Sequence, residues 1–234
     1  MRMDNACILI ISDTHIPYHH PDALDFLSDL RRQYKPDRVI HIGDEVDNHA
    51  ISFHDSDSDL KSAGDELVES RKYIKQLEKL FPVMDIMESN HGSLLYRKAL
   101  SHGIPRSMLK SYNEILEVSD KWKWHRDLMV RLPNKQPVYF CHGKNRNVTT
   151  LSQRMGMSAV QGHFHGRFKI EYWGNPERLN WAMNIGCLAD PDSLAMAYAR
   201  NELERPVIGC GLIVDSLPVL EPLVMNKNAR WIRS

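Results

Sequence analysis

The chain has 234 residues, 42% of them apolar and 26% charged, with 30 basic residues balanced by 30 acidic ones. No run of 18 or more apolar residues occurs, which argues against a membrane-spanning helix, and the even charge excludes a globally basic nucleic-acid binder. What remains is a soluble globular protein, read as one domain over 1–234 and long enough to bury a large core. Cys7, Cys141, Cys187 and Cys210 are far apart, form no Cys-x-x-Cys pair and lie mostly inside apolar runs, as reduced core thiols do. The first residues pass directly into an apolar strand ended by Asp13, without a small-residue cleavage pattern, so a cytoplasmic protein is expected.

Residues 8–12 read as a strand that stops on Asp13-Thr14-His15. Pro21-Asp22 then opens a helical pattern with Leu24, Leu27, Leu30 and Tyr34 on one face, closed near Lys35-Pro36. Residues 39–42 form a second strand ending on Gly43-Asp44. A strand, helix, strand unit of this spacing implies parallel pairing, which carries both strand ends to one edge, where open α/β sheets bind their ligands. Residues 48–62, with Asp55, Asp57 and Asp59, form a polar loop without periodicity. Expected next are a helix over 64–81, a strand over 83–87, a helix over 94–100 and a further helical pattern over 105–118. Trp122 and Trp124, two apart, suit a short extended segment at 120–126. Beyond it, 128–132, 137–141, 159–162, 168–173, 181–185 and 208–214 read as short strands. They predict a second, largely antiparallel sheet packed on the first.

Residues i and i+2 of an extended segment share a face, so Asp13 with His15, and His163 with His165, are side-by-side pairs of potential metal ligands. Taken alone, either pair reads equally well as a surface polar residue beside a satisfied histidine. Asp44 follows a glycine at a strand end, where its two oxygens could bridge two cations or cap a turn. Asn90 offers an amide oxygen, and His142 ends the 137–141 strand with Gly143 behind it to allow a sharp turn. Together these residues point to two divalent ions. Carboxylate, imidazole and amide donors without thiolates admit manganese, iron, zinc or nickel, and the residues do not choose among them.

The motifs Asp13-x-His15, Gly43-Asp44-x-x-Asp47, Asn90-His91, His142-Gly143 and Gly162-His163-x-His165, in this order, resemble the motif set of the calcineurin-like metallophosphoesterases. The compact length is similar to that of short bacterial and bacteriophage members that lack a cap domain. The resemblance implies an α/β fold, a two-sheet sandwich flanked by helices, with the metals between strand-end loops. It further implies that Asp13, His15, Asp44 and His165 surround one ion and that Asp44, Asn90, His142 and His163 surround the other. His91 would protonate the leaving oxygen, with Asp47 orienting its imidazole. One departure stands out: the family's usual glycine, asparagine, histidine and acidic residue appear here as Ser89-Asn90-His91-Gly92, so one carboxylate that could orient His91 is missing.

The function so implied is hydrolysis of phosphoesters by a dinuclear metal centre. A retained leaving-group histidine favours a diester, whose alkoxide departs poorly without a proton, and hence a phosphodiesterase or nuclease acting on a nucleotide or nucleic acid. The alternatives are a phosphomonoesterase (phosphatase) of the same mechanism and a noncatalytic scaffold of this fold that binds a protein partner. Arg97 after His91, and Lys144 with Arg146 after His142, are expected to contact substrate, on a basic rim that Lys98, Arg167 and Lys169 extend. Trp122, Trp124 or Trp173 could stack on bases, although core packing is the commoner use of such residues. Asn147, His49 and His54 read as substrate contacts or, more commonly, as ordinary loop residues. His19, His20 and His41 carry no assigned role, and neither a membrane nor a protein partner is expected.

Overall fold

The computed structural model describes residues 5–53, 59–193 and 205–233. Its centre is β1 (Cys7–Ile11), which is buried along its whole length. Ile8 and Ile10 point into one core while Cys7, Leu9 and Ile11 point into another. A strand covered on both faces has no polar side, which is why this stretch is an unbroken apolar run rather than an alternating one.

β2 (Arg38–His41), β3 (Met84–Met87) and β4 (Trp122–His125) follow β1 in parallel, each paired with the last. On the other side of β1 lie β10 (Gly209–Val214) and β11 (Leu217–Pro222), both antiparallel to their neighbours, giving the order β11-β10-β1-β2-β3-β4. The second sheet has the order β5-β6-β7-β9-β8, built from β5 (Leu128–Arg131), β6 (Pro137–Cys141), β7 (Ser158–Gln161), β8 (Phe168–Gly174) and β9 (Leu179–Ile185). Ile40, Ile42 and Met87 of the first sheet's side meet Phe140, Val160 and Met183 of the second in the core between the sheets. The outer face of the first sheet is covered by α1 (Ala23–Tyr34) and α2 (Ala63–Leu80), through Phe26, Leu27, Leu30, Ile74 and Leu77. α5 (Val148–Met155) covers the outer face of the second through Leu151 against Tyr139 and Ala159. The expected two-sheet sandwich with flanking helices is therefore the fold. Among the described residues no helix is long and apolar enough to cross a membrane.

Several elements differ from expectation. The second sheet is mixed: β6, β7 and β9 run parallel and only the outer pairs are antiparallel. The 208–214 strand belongs to the first sheet, beside β1. The 105–118 pattern does not make one helix. It breaks into a single turn at Arg106–Met108 and a short α4 (Tyr112–Leu116), because Ser111 starts a new helix by accepting from the Glu114 backbone N–H while the Glu114 carboxylate accepts from the Ser111 N–H. β11 carries Pro218 and Pro222, which suppress a strand reading but are tolerated at a sheet edge, where the missing N–H faces no partner. α5 was not expected either; its Val148, Leu151 and Ser152 are buried at helical spacing, but three hydroxyl residues among eight blur the pattern. Between β3 and β4 in the chain, α3 (Leu94–Ser101) is a helix as expected, following the His91 turn. All four cysteines are free and buried.

Candidate metal centre

Because β1, β2 and β3 are parallel, their carboxyl ends deliver Asp13 to His15, Asp44 and Asn90 to one edge, and parallel β6 and β7 deliver His142 and His163 from the facing sheet. The chain turns sharply as it leaves these strands: Asp13, His15, Asp44 and His163 all have positive φ, at 48°, 45°, 52° and 66°. For side chains with a Cβ this costs roughly 1–3 kcal/mol per residue, so the turns must be fixed by other bonds. They are fixed by one another. The Asp13 N–H donates to the Gly43 carbonyl (3.1 Å), the His15 N–H to the Asp44 carbonyl (2.9 Å), the Asp44 N–H to Ser89 Oγ (2.8 Å) and the His163 N–H to Asp13 Oδ2 (3.0 Å).

The side chains converge in two groups that share a centre. Asp13 Oδ1 lies 3.2 Å from His165 Nε2 and 3.9 Å from His15 Nε2, and the two imidazole nitrogens are 3.3 Å apart. Asp44 Oδ2 lies 3.6 Å from His15 Nε2 and 3.2 Å from His142 Nε2, which is also 2.7 Å from Asn90 Oδ1 and 3.2 Å from His163 Nδ1. Asp13, His15 and His165, and likewise Asp44, His142 and His163, each form a cluster able to hold a metal ion. Their protonation pattern tests the fit. His142 Nδ1 donates to the Ile42 carbonyl (2.9 Å), and His15 Nδ1 to Asp47 Oδ1 (2.6 Å). Each histidine therefore turns its Nε2 lone pair toward carboxylate and amide oxygens, an arrangement of acceptors facing acceptors that only protons or cations can relieve. Burial opposes charge on His142, yet the adjacent Asp44 and Asp13 carboxylates lift it to about 9, so without a metal a proton sits at this point. Burial likewise opposes ionisation of Asp13 and Asp44, but His165 in the first case and His142 in the second hold both carboxyls well below the usual range. Divalent ions fit the donor set and would displace these protons.

Asp47 has a wider role than orienting His91. Its Oδ1 is 2.6 Å from His15 Nδ1 and 3.3 Å from His91 Nδ1, while the Asp47 carbonyl accepts from His91 Nδ1 at 2.6 Å. The carboxylate thus aims primarily at His15, and His91 is held chiefly by the backbone. His91 also clusters with His15 and Asp44, and its N–H donates to Asp44 Oδ1 (2.9 Å). Burial works against its charge, but Asp47 and Asp44 raise it to about 9.

An open cleft of about 440 Å3 leads from Asn90, His142 and His163, with Arg97, Arg126 and Lys144 on its walls. Arg97 donates to the Asn90 carbonyl (3.1 Å), and Lys144 pairs with Asp127 (2.8 Å) and bonds the Tyr139 hydroxyl. Arg146 is exposed but does not line this cleft. Lys169 is paired with Glu171 (2.5 Å), and Lys98 lies over the Phe53 ring. The tryptophans are committed elsewhere: Trp122 is in the core with its N–H on the Phe81 carbonyl, Trp124 bonds Glu45 and stacks on Tyr112, and Trp173 bonds Ser152 Oγ. Asn147 caps α5 by accepting from the Thr149 and Thr150 N–H groups. His49 sits behind Asp47, at 3.6 Å, and His54 lies outside the described residues. Among the histidines without an expected role, His41 pins the site from below. It accepts from the Gly43 N–H (3.1 Å), approaches Thr14 Oγ1 at 3.2 Å and is pushed by burial down to about 4, so it stays neutral. His20 bonds the Ala229 carbonyl, and His19 packs edge-on against Tyr73.

Comparison with known proteins gives the family. The model of the calcineurin-like phosphoesterases matches residues 7–186. No curated protein matches the chain. Among solved structures the chain is similar to YfcE, a phosphoesterase from E. coli, at 14% identity over 97% of each chain with a TM-score of 0.51. It is also similar to Vps29 from Chaetomium thermophilum, at 11% identity over 97% of this chain and 94% of that one, again with a TM-score of 0.51. At these identities the likeness to solved structures concerns the fold. The family match is of a different kind, since it spans most of the sequence and takes in every candidate ligand from Asp13 to His165, and on that ground the chain belongs to the calcineurin-like phosphoesterases.

Proposed function

We propose that the chain is a dinuclear metal-dependent phosphodiesterase acting on a nucleotide or nucleic-acid substrate. The observation that carries this reading is the convergence of acceptor atoms from both sheets: Asp13, His15, Asp44 and His165 on one side, and Asp44, Asn90, His142 and His163 on the other. Those two groups would hold the ions, manganese first among the candidates, with Asp44 shared. When bound, two divalent ions supply positive charge to a phosphoryl group and lower the pKa of an attacking water. The protein's own part is to position and to protonate. Asp47 fixes the tautomer of His15, the Ile42 carbonyl fixes that of His142, and the Asp47 carbonyl holds His91 Nδ1–H so that His91 Nε2 can carry the proton a leaving alkoxide needs.

The test pairs Asp44→Asn with His91→Asn and reads metal content as well as turnover of a mono-aryl phosphate, a bis-aryl phosphate and a dinucleotide with added manganese. Asp44→Asn is expected to lose bound metal and every activity. His91→Asn is expected to retain metal and to lose roughly 10²–10⁴-fold on the dinucleotide, whose leaving alkoxide needs a proton, and less on the aryl esters. If both variants match the parent, this assignment is wrong; if the parent favours the monoester, it is a phosphatase. The noncatalytic scaffold is the second reading, motivated by Gly92 in place of an acidic residue. It calls for metal binding with turnover of neither ester.

A further inference from the structure

The first sheet has four parallel strands, and three of them, β1, β2 and β3, end in candidate metal ligands. β4 runs parallel to β3 with Met87 paired to His125, so its carboxyl end opens at the same edge. The residue that leaves it there is Arg126, which lines the cleft beside Asn90, His142 and His163. The cations of this cleft differ in how they are engaged. Lys144 is neutralised by Asp127 and bonded to the Tyr139 hydroxyl, and the Arg97 guanidinium donates to the Asn90 carbonyl. Glu88, the acidic residue of the lining, is paired with Arg106 (2.8 Å). Arg126 is exposed, and among the described residues no hydrogen bond or ion pair engages its guanidinium.

We infer that Arg126 is the anchor of a second phosphate subsite, which takes the phosphate that flanks the scissile diester in a nucleic-acid strand. A planar guanidinium with no hydrogen-bonded protein partner, although Asp127 lies near enough to feel its charge, is suited to two parallel hydrogen bonds to phosphate oxygens. The cleft is larger than one phosphoryl group requires, and its unpaired charge is positive, as a polyanionic strand demands. This inference rests on the phosphodiesterase reading above, and makes the substrate an oligonucleotide rather than an isolated diester.

Thymidine dinucleotides provide the probe. TpT has only the scissile phosphate, whereas pTpT and TpTp each add one, on opposite sides. With manganese, the parent is expected to prefer one of the phosphorylated forms over TpT by roughly tenfold in kcat/KM, the value of one exposed charge-assisted contact. Arg126→Ala should bring that ratio near one and Arg126→Lys should restore part of it, while Arg154→Ala, on α5 outside the cleft, leaves it unchanged. The same ratios measured as equilibrium binding in EDTA give a readout independent of turnover. A parent without preference by either measure, or a preference that survives Arg126→Ala, overturns the subsite. A parent that hydrolyses none of the dinucleotides nor a bis-aryl phosphate overturns the phosphodiesterase reading instead, and the binding ratios then decide the subsite on their own.

Discussion

The Glu45 carboxyl fills the space that a side chain at position 92 would enter: a Cβ on Gly92 would stand 3.1 Å from both Glu45 Oε1 and Oε2, and 2.9 Å from Ser89 Oγ. Gly92 has no positive φ, so it is space and not backbone geometry that demands glycine there. Glu45 is itself buried, bonded through Oε1 to the Trp124 N–H (3.1 Å), and burial raises its carboxyl to about 7. The space that a side chain after His91 would enter is therefore taken in this chain by a carboxyl reaching in from the β2 end. Gly92→Glu, which restores the family residue, is expected to destabilise the protein by about 1–3 kcal/mol through overpacking. Combined with Glu45→Ala it should cost less than the sum of the two single changes. Urea unfolding of the four proteins measures the coupling, and strict additivity would show that the two positions do not compete for the same space.

Asp47 makes a second prediction, because its carboxylate bonds His15 at 2.6 Å and reaches His91 only at 3.3 Å. Removing a carboxylate that orients a ligating histidine typically lowers metal affinity about 10–100-fold. Asp47→Ala should show that loss in a manganese titration, whereas His91→Ala, which leaves the His15 contact intact, should show a smaller one. Equal affinities for parent and Asp47→Ala would mean that Asp47 serves His91 alone.

Which parts of this were legible beforehand follows from how local each feature is. Asp13 with His15, or His163 with His165, sits within three residues, so each is marked as a potential ligand by its neighbour. The extended geometry expected there is absent: Asp13, His15 and His163 have positive φ, and His163 and His165 go to different clusters. The apolar runs at 8–12 and 137–141 likewise announce strands. Partner and direction are different matters: that β6 pairs in parallel with β7, or that the 208–214 strand returns to β1, depends on contacts across many tens of residues that no local pattern carries. Arg126 is illegible in the sequence for the same reason. Nothing in Trp122-Lys-Trp-His-Arg126 marks a site, and its position follows only from β4 lying parallel to β3. The preference of Asp47 for His15 over His91 is likewise not a local property, since the two histidines are 32 and 44 residues away.

Gly162, just beyond β7 of the second sheet, packs against Ser12 and Asp13 at the end of β1 in the first. A Cβ there would lie 2.5 Å from Asp13 Oδ2 and would overlap Ser12 Oγ, which donates to that same carboxylate. Neither neighbour can retreat, as Asp13 and Ser12 are fully buried. Gly162→Ala should therefore displace Asp13 and reduce bound metal, with a destabilisation of roughly 1–3 kcal/mol. Elemental analysis and thermal unfolding check the two effects, and an alanine variant with full metal content and parental stability would refute the close approach.

The start of α1 is tied to the end of the chain by Asp22. Its carboxylate accepts from Arg230 Nε (2.8 Å), from a second Arg230 nitrogen and from the Trp231 N–H (2.9 Å), and Trp231 packs edge-on against Phe26 at 5.4 Å. The Arg230 hydrogen bond is the largest influence on Asp22 and, against the cost of burial, holds its carboxyl well below the usual carboxylate range. A carboxyl depressed in the folded state contributes stability that is complete above its unfolded pKa of about 3.9, and that is lost as pH falls toward the folded value. The urea midpoint of the parent should therefore exceed that of Asp22→Asn by a constant margin from pH 7 down to about 5, and the margin should shrink progressively below about 4. Because the Arg230 side chain is 60% exposed, added salt should reduce the margin as well. A margin independent of both pH and salt would show that the substitution acts through something other than the ionised carboxylate.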